Sequence, residues 1–131
     1  MIIVDTNVLV YATIPGKWTE AALAAAERDP DWAAPPLWRF ELRNVLATAM
    51  RTQGMKLALA LAAFEAAEGL VIDTDLQPAV EEILKLAARG KISAYDAEFV
   101  YAAEQLDLPL VTADRRLAKA FPGRAISLGD L

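Results

Sequence analysis

Four acidic residues stand where acids are costly. Asp5 follows the apolar run Ile2-Ile3-Val4, Glu41 and Asp96 fall within apolar helical patterns, and Asp114 closely follows Leu110-Val111-Thr112. Carboxylates gathered away from water are penalised by desolvation and by mutual repulsion unless protons or cations compensate. Hard divalent cations are the natural compensators, and a ligand set made only of oxygens suits Mg²⁺ or Mn²⁺. A cation held this way activates water for attack on phosphorus and neutralises the charge that develops there. Each acid also has a plainer reading. Asp5, Asp96 and Asp114 fit the starts of helices, where carboxylates accept from free backbone amides, and Glu41 fits an ion pair with a neighbouring arginine.

The rest of the composition narrows the chemistry. The chain has no histidine and no cysteine, which excludes imidazole bases, Ser-His-Asp triads, disulfides and the usual zinc sets. It has no P-loop, no G-x-G-x-x-G turn and no EF-hand spacing. A phosphoaspartate mechanism of the haloacid dehalogenase kind wants a second Asp two residues after the first, and Asn7 stands there. The net charge of −5 argues against phosphate binding on its face. If the four acids take up cations, however, the remainder of the chain is close to neutral. Arg39, Arg43, Arg51 and Lys56 form one basic cluster, and Arg115, Arg116, Lys119 and Arg124 another; each reads as solvated helix surface or as contacts to nucleic-acid phosphates.

The elements that must position these acids alternate between strand and helix. Ile2-Ile3-Val4 is unbroken and β-branched, as in a strand buried on both faces of a parallel sheet. Asp5 then sits at the carboxyl end of that strand, where open α/β sheets bind ligands. A helix is expected over Trp18 to Arg28 with Thr19 as cap, a short strand at Ala33-Ala34, and a long helix from about Leu37 to Thr52 closed by Gly54. Trp38, Leu42, Val45, Leu46 and Ala49 share one face of the long helix, with Glu41 on its edge. Lys56 to Ala67 reads as helix and Leu70-Val71-Ile72 as a buried strand. Thr74 or Asp75 caps a helix to about Arg89, with Val80, Ile83, Leu84 and Ala87 inward and Gly90 closing it. Ser93 caps a helix through Leu106, on which Tyr95, Phe99, Val100 and Ala103 define an apolar face and Asp96 lies in mid-stripe. Leu108 to Thr112 is a strand, Leu117 to Phe121 a helix, and Ala125-Ile126-Ser127 a last strand. The expectation is one α/β domain over 1–131, with a central parallel sheet of about four to five strands flanked by helices on both sides. No signal peptide or membrane span is expected, and the protein is read as soluble and cytoplasmic.

In order, spacing and size, four segments resemble the acidic motifs of the PIN domain. They are Val4-Asp5-Thr6-Asn7-Val8-Leu9, Glu41 in Trp38-Arg39-Phe40-Glu41-Leu42-Arg43-Asn44-Val45-Leu46, Asp96 in Ser93-Ala94-Tyr95-Asp96-Ala97, and Leu110-Val111-Thr112-Ala113-Asp114-Arg115-Arg116-Leu117. A chain this short is most similar to VapC, the ribonuclease toxin of toxin–antitoxin pairs. That resemblance implies an endoribonuclease dependent on Mg²⁺ or Mn²⁺ that leaves a 5′-phosphate and a 3′-hydroxyl. It also implies a homodimer, inhibited by a small antitoxin of the VapB kind. Asp5, Glu41, Asp96 and Asp114 match the family's metal-coordinating positions, and Thr6, Asn7 and Thr112 match positions that orient them. Some relatives carry a further acid or Asn where this chain has Arg116. Arg39, Arg43 and Arg115 are candidate RNA contacts. A PIN nuclease of RNA maturation or decay shares the same motifs, and a non-catalytic α/β module is the reading in which the acids are only caps.

Overall fold

A computed structural model describes all residues from Met1 to Leu131. Five strands, β1 (Ile2–Val4), β2 (Trp32–Ala34), β3 (Val71–Asp73), β4 (Leu110–Thr112) and β5 (Ala125–Ser127), form one sheet in the order β3-β2-β1-β4-β5. All four pairings are parallel. Parallel neighbours need crossovers, supplied here by helices α1 (Thr6–Thr13), α2 (Thr19–Arg28), α3 (Leu37–Gln53), α4 (Leu57–Leu70), α5 (Val80–Gly90), α6 (Ala94–Leu106) and α7 (Arg115–Ala120). A short 3₁₀ turn, Leu128–Asp130, follows β5. Every residue of β1, β2 and β4 is buried although successive side chains point to opposite faces, so helices cover both sides of the central strands. No helix is long and apolar enough to cross a membrane.

The strand order reverses beside β1. The chain winds outward from β1 through β2 to β3, then returns to lay β4 on the other side of β1. Loops leaving β1 and β4 therefore diverge at their carboxyl ends and open a crevice between them. Asp5 and Asp114 lie on those two loops.

Local boundaries depart from the sequence reading in places with identifiable causes. Thr19 does not cap α2: its hydroxyl accepts from the Gly16 amide and donates to the Ile14 carbonyl, tying the preceding loop instead. Helix α4 runs through Gly69 to Leu70, so β3 starts one residue later than its apolar run suggests. β3 is an edge strand and not a buried one, with Ile72 59% exposed. Thr74 and Asp75 lie in an irregular segment, and α5 starts only at Val80, where the Glu82 carboxylate accepts from the Ala79 amide. On α5 the inward residues are Ile83 and Leu86, whereas Val80 and Leu84 face out; on α6 Tyr95 is exposed. The left-handed position closing α5 is Lys91, with φ 52°, not Gly90. Gly90 serves a different need: a Cβ there would fall 2.6 Å from Cζ of the buried Phe121 ring.

Candidate active site at the carboxyl ends of β1 and β4

Asp5 leaves the end of β1 and is buried. Its Oδ1 accepts from the Val8 amide, which makes it the N-cap of α1, and its Oδ2 accepts from the Thr112 hydroxyl at the end of β4. The cap reading and the site reading thus hold together, because the capping carboxylate also lines a cleft. Thr112 is fully buried, and the same oxygen that donates to Asp5 accepts from the Asp114 amide at 3.0 Å. Asp114 in turn caps α7, its Oδ1 accepting from the Arg116 and Leu117 amides at 2.9 and 3.4 Å.

The helical acids arrive from opposite sides. Glu41, on α3, accepts at Oε1 from the Thr6 hydroxyl at 2.7 Å. That bond spans 35 residues of sequence and fixes α3 against the start of α1. Asp96 lies in the first turn of α6, its amide bonded to the Ser93 hydroxyl as the capping pattern requires. Asp96 is only half-buried, unlike its neighbours Ala97 and Phe99, because the stripe opens there onto the cleft.

A cleft of about 190 Å³ is lined by Asp5, Thr6, Asn7, Glu41, Asn44 and Asp96, with Val45 and Phe99 as its apolar wall. A second cavity is lined by Asp96 and Asp114 with Lys91, Ser93 and Arg116. Asp96 is the wall between the two, so the acids expected to share one hollow instead line two that adjoin. No three of the carboxylates stand close enough to hold an ion by themselves. Asp5, Glu41 and Asp114 are each drawn toward hydrogen-bond donors of their own.

The electrostatics nonetheless mark one site. Burial raises the Asp5 carboxyl from its ordinary 3.8 to about 6, against the opposing bonds from Thr112 and Val8, and the charges of Asp96 and Asp114 push it further the same way. Burial likewise raises Glu41, with Thr6 opposing and Asp96 adding to the rise. Asp96 is raised by burial and then by Asp114, and lowered by Ser93 and Arg116. Three carboxyl groups that resist ionisation, facing common space, are what a divalent cation offsets. The donor set fits Mg²⁺ or Mn²⁺ in kind, since it is all oxygen and Mg²⁺ takes few carboxylates while keeping several waters.

The supporting residues divide. Thr6 and Thr112 bond acids directly, whereas Asn7 lines the cleft without a hydrogen bond to any of them. Asn44, one helical turn after Glu41, was not singled out by sequence; its i+3 spacing from Glu41 was the available signal. The expected basic contacts lie elsewhere. Arg39 pairs with Glu68 at 2.9 Å and Asp73 at 3.0 Å and stacks on Trp38, while Arg43 lies over Phe40 and donates to the Arg39 carbonyl. Both line a groove between α3 and α4, not the acidic cleft, and Arg115 faces a hollow beside β5. The cations beside the acids are Lys91 and Arg116.

Comparison with solved structures supports the architecture. The crystal structure of PAE2754 from Pyrobaculum aerophilum matches with a TM-score of 0.73 at 25% identity, over 98% of this chain and 90% of that one. FitAcB from Neisseria gonorrhoeae matches with a TM-score of 0.72 at 20% identity over 100% of both chains, a likeness of fold. No curated protein sequence matches. Residues 2–121 match the family model described as the PIN domain, so the chain belongs to the PIN domain family, whose members are generally metal-dependent nucleases.

Proposed function

We propose that the protein is an endoribonuclease dependent on Mg²⁺ or Mn²⁺ and the toxin of a VapC-type toxin–antitoxin pair, acting in the cytoplasm. The observation that carries this reading is the position of Asp96, which faces Asp5 and Glu41 on one side and Asp114 on the other. When bound, the cation lowers the pKa of water and neutralises charge on the phosphoryl group. The chain's residues prepare the site for it. Asp5 is locked by Thr112 and Val8, so its orientation costs nothing further when a ligand arrives. Glu41 gives Oε1 to Thr6 and keeps Oε2 free, and its raised pKa suits that oxygen to hold a proton released from the attacking water. Asn7 and Asn44 present amide groups to the same cleft and are suited to orient a phosphodiester.

The toxin role, the VapB-like antitoxin and the homodimer follow from the motif resemblance. The groove between α3 and α4, lined in part by Leu46, Met50, Leu61 and Phe64, supplies apolar surface suited to self-association, and sedimentation at micromolar concentration tests it. The function is tested by incubating purified protein with RNA in Mn²⁺, Mg²⁺ or EDTA. Cleavage should need the cation and should be lost in Asp96→Asn, with the fold intact by circular dichroism. Undiminished cleavage by that variant, or no heat of Mn²⁺ binding by calorimetry, would overturn the proposal. Growth arrest on expression, relieved by a small protein encoded beside the gene, separates a toxin from a nuclease of RNA maturation.

A further inference from the structure

The cavity on the far side of Asp96 has a use that the acids alone do not explain. It holds about 410 Å³, and its lining includes two carboxylates, Asp96 and Asp114, and two cations, Lys91 and Arg116. Neither cation takes part in any ion pair of the molecule, although two carboxylates line the same space. Asp114 is instead turned to the backbone amides of α7. Arg124, by contrast, is spent on Asp107 and on the Leu108 carbonyl, and Arg89 on Glu104, while Arg115 and Lys119, which also form no ion pair, line a different hollow beside β5.

Lys91 occupies its place against local preference. It closes α5 in the left-handed region, at φ 52° and ψ 45°, where Gly or Asn is favoured and other side chains cost on the order of 1 kcal/mol. The fold therefore does not require lysine there. Arg116 has its amide bonded to Asp114 while its guanidinium remains free of carboxylates, near enough to Asp96 to lower that group's pKa.

We infer that Lys91 and Arg116 form a subsite for a backbone phosphate of single-stranded RNA, next to the phosphate held in the Asp5–Glu41–Asp96 cleft. This rests on the nuclease reading for its substrate. The two hollows share Asp96 as a common wall, so a strand lying across the acidic cleft leads its neighbouring phosphate into the basic one. A guanidinium and an ammonium without protein partners match that phosphate in charge and in donors. The overall charge of −5 adds weight, because an acidic protein needs its cations placed locally to hold a polyanion.

The test is equilibrium binding of a short fluorescent single-stranded RNA, by anisotropy, to Asp5→Asn protein in EDTA, where no cleavage intrudes. Adding Lys91→Asn and Arg116→Gln should lower the slope of log K against log salt by about 0.7, the value for one phosphate contact on a single strand. Affinity at about 50 mM salt should fall roughly eightfold, the loss shrinking toward 1 M. Lys85→Gln, which removes one positive charge from exposed α5, should leave the slope unchanged. Asn suits the left-handed position, so Lys91→Asn should keep or raise Tm. An unchanged slope in the double variant, an equal loss in Lys85→Gln, or no RNA binding at all overturns the subsite. If the binding results hold but wild-type protein with Mn²⁺ leaves the RNA intact, the subsite stands and the nuclease reading falls.

Discussion

Replacing Asp5 with Asn should disable the site and at the same time stabilise the protein when no divalent cation is present. Asp5 titrates near 6 in the fold against 3.8 ordinarily. Because the folded pKa is raised, the fold binds the proton more tightly than the unfolded chain does. Stability is then greatest below the unfolded pKa and is lost as pH rises through the folded value, by about 3 kcal/mol once Asp5 is ionised. Asn carries no charge and avoids that loss. Its single oxygen accepts only one of the two bonds that Asp5 accepts from Val8 and Thr112, which costs about 1 kcal/mol. The net gain near neutral pH is about 2 kcal/mol, or roughly 6 °C in Tm for a domain of this size. Thermal melts in EDTA near pH 7.5 and near pH 4 make the comparison, and the variant's advantage should vanish at the lower pH. Added Mn²⁺ should raise the wild-type Tm and leave the variant's unchanged. No gain near neutrality, or an equal gain at both pH values, would refute the argument that an uncompensated buried charge sits at Asp5.

Three further outcomes are expected. Thr112→Val removes the bond that holds Asp5 down, so the Asp5 carboxyl, followed by NMR, should titrate above about 6, with weaker Mn²⁺ binding by calorimetry. Mn²⁺ affinity of the wild-type protein should fall by up to about tenfold per pH unit below about 6, as protons compete for Asp5. Gly90→Ala should lower Tm by an amount corresponding to about 1–3 kcal/mol, because the buried Phe121 ring must move to admit a methyl group.

Asp5 and Asp114 were legible in the sequence because each closely follows a run of apolar residues that has few alternatives to a central strand. Glu41 was legible because three or four residues separate it from Trp38 and Val45, which places it at the rim of a helical stripe. What escaped depends on partners distant along the chain. Arg39 reads as a free cation until the fold brings Glu68 and Asp73 to it from 29 and 34 residues away. Val80 and Leu84 have helical spacing, yet the face that packs is set by α6, against which Ile83 and Leu86 are turned. Ile72 looks buried by composition and is exposed because β3 ends the sheet, a matter of strand order that no local pattern encodes. Lys91 carries no motif, Arg116 stands in the fourth acidic segment without being one of its acids, and only the meeting of α5's end with the start of α7 makes the two neighbours.

The hydroxyl of Thr112 has one hydrogen, and Asp5 receives it, so the Asp114 amide can only give to the same oxygen and never take from it. Two loops are thereby clasped in a fixed direction by a single atom. Serine would keep the oxygen and lose the branched carbon that limits its rotation, while valine would keep the branch and lose the oxygen. Any redesign of the cleft that shifts the turn after β4 would therefore pull on the first strand as well, and tuning one rim without the other means relocating this clasp first.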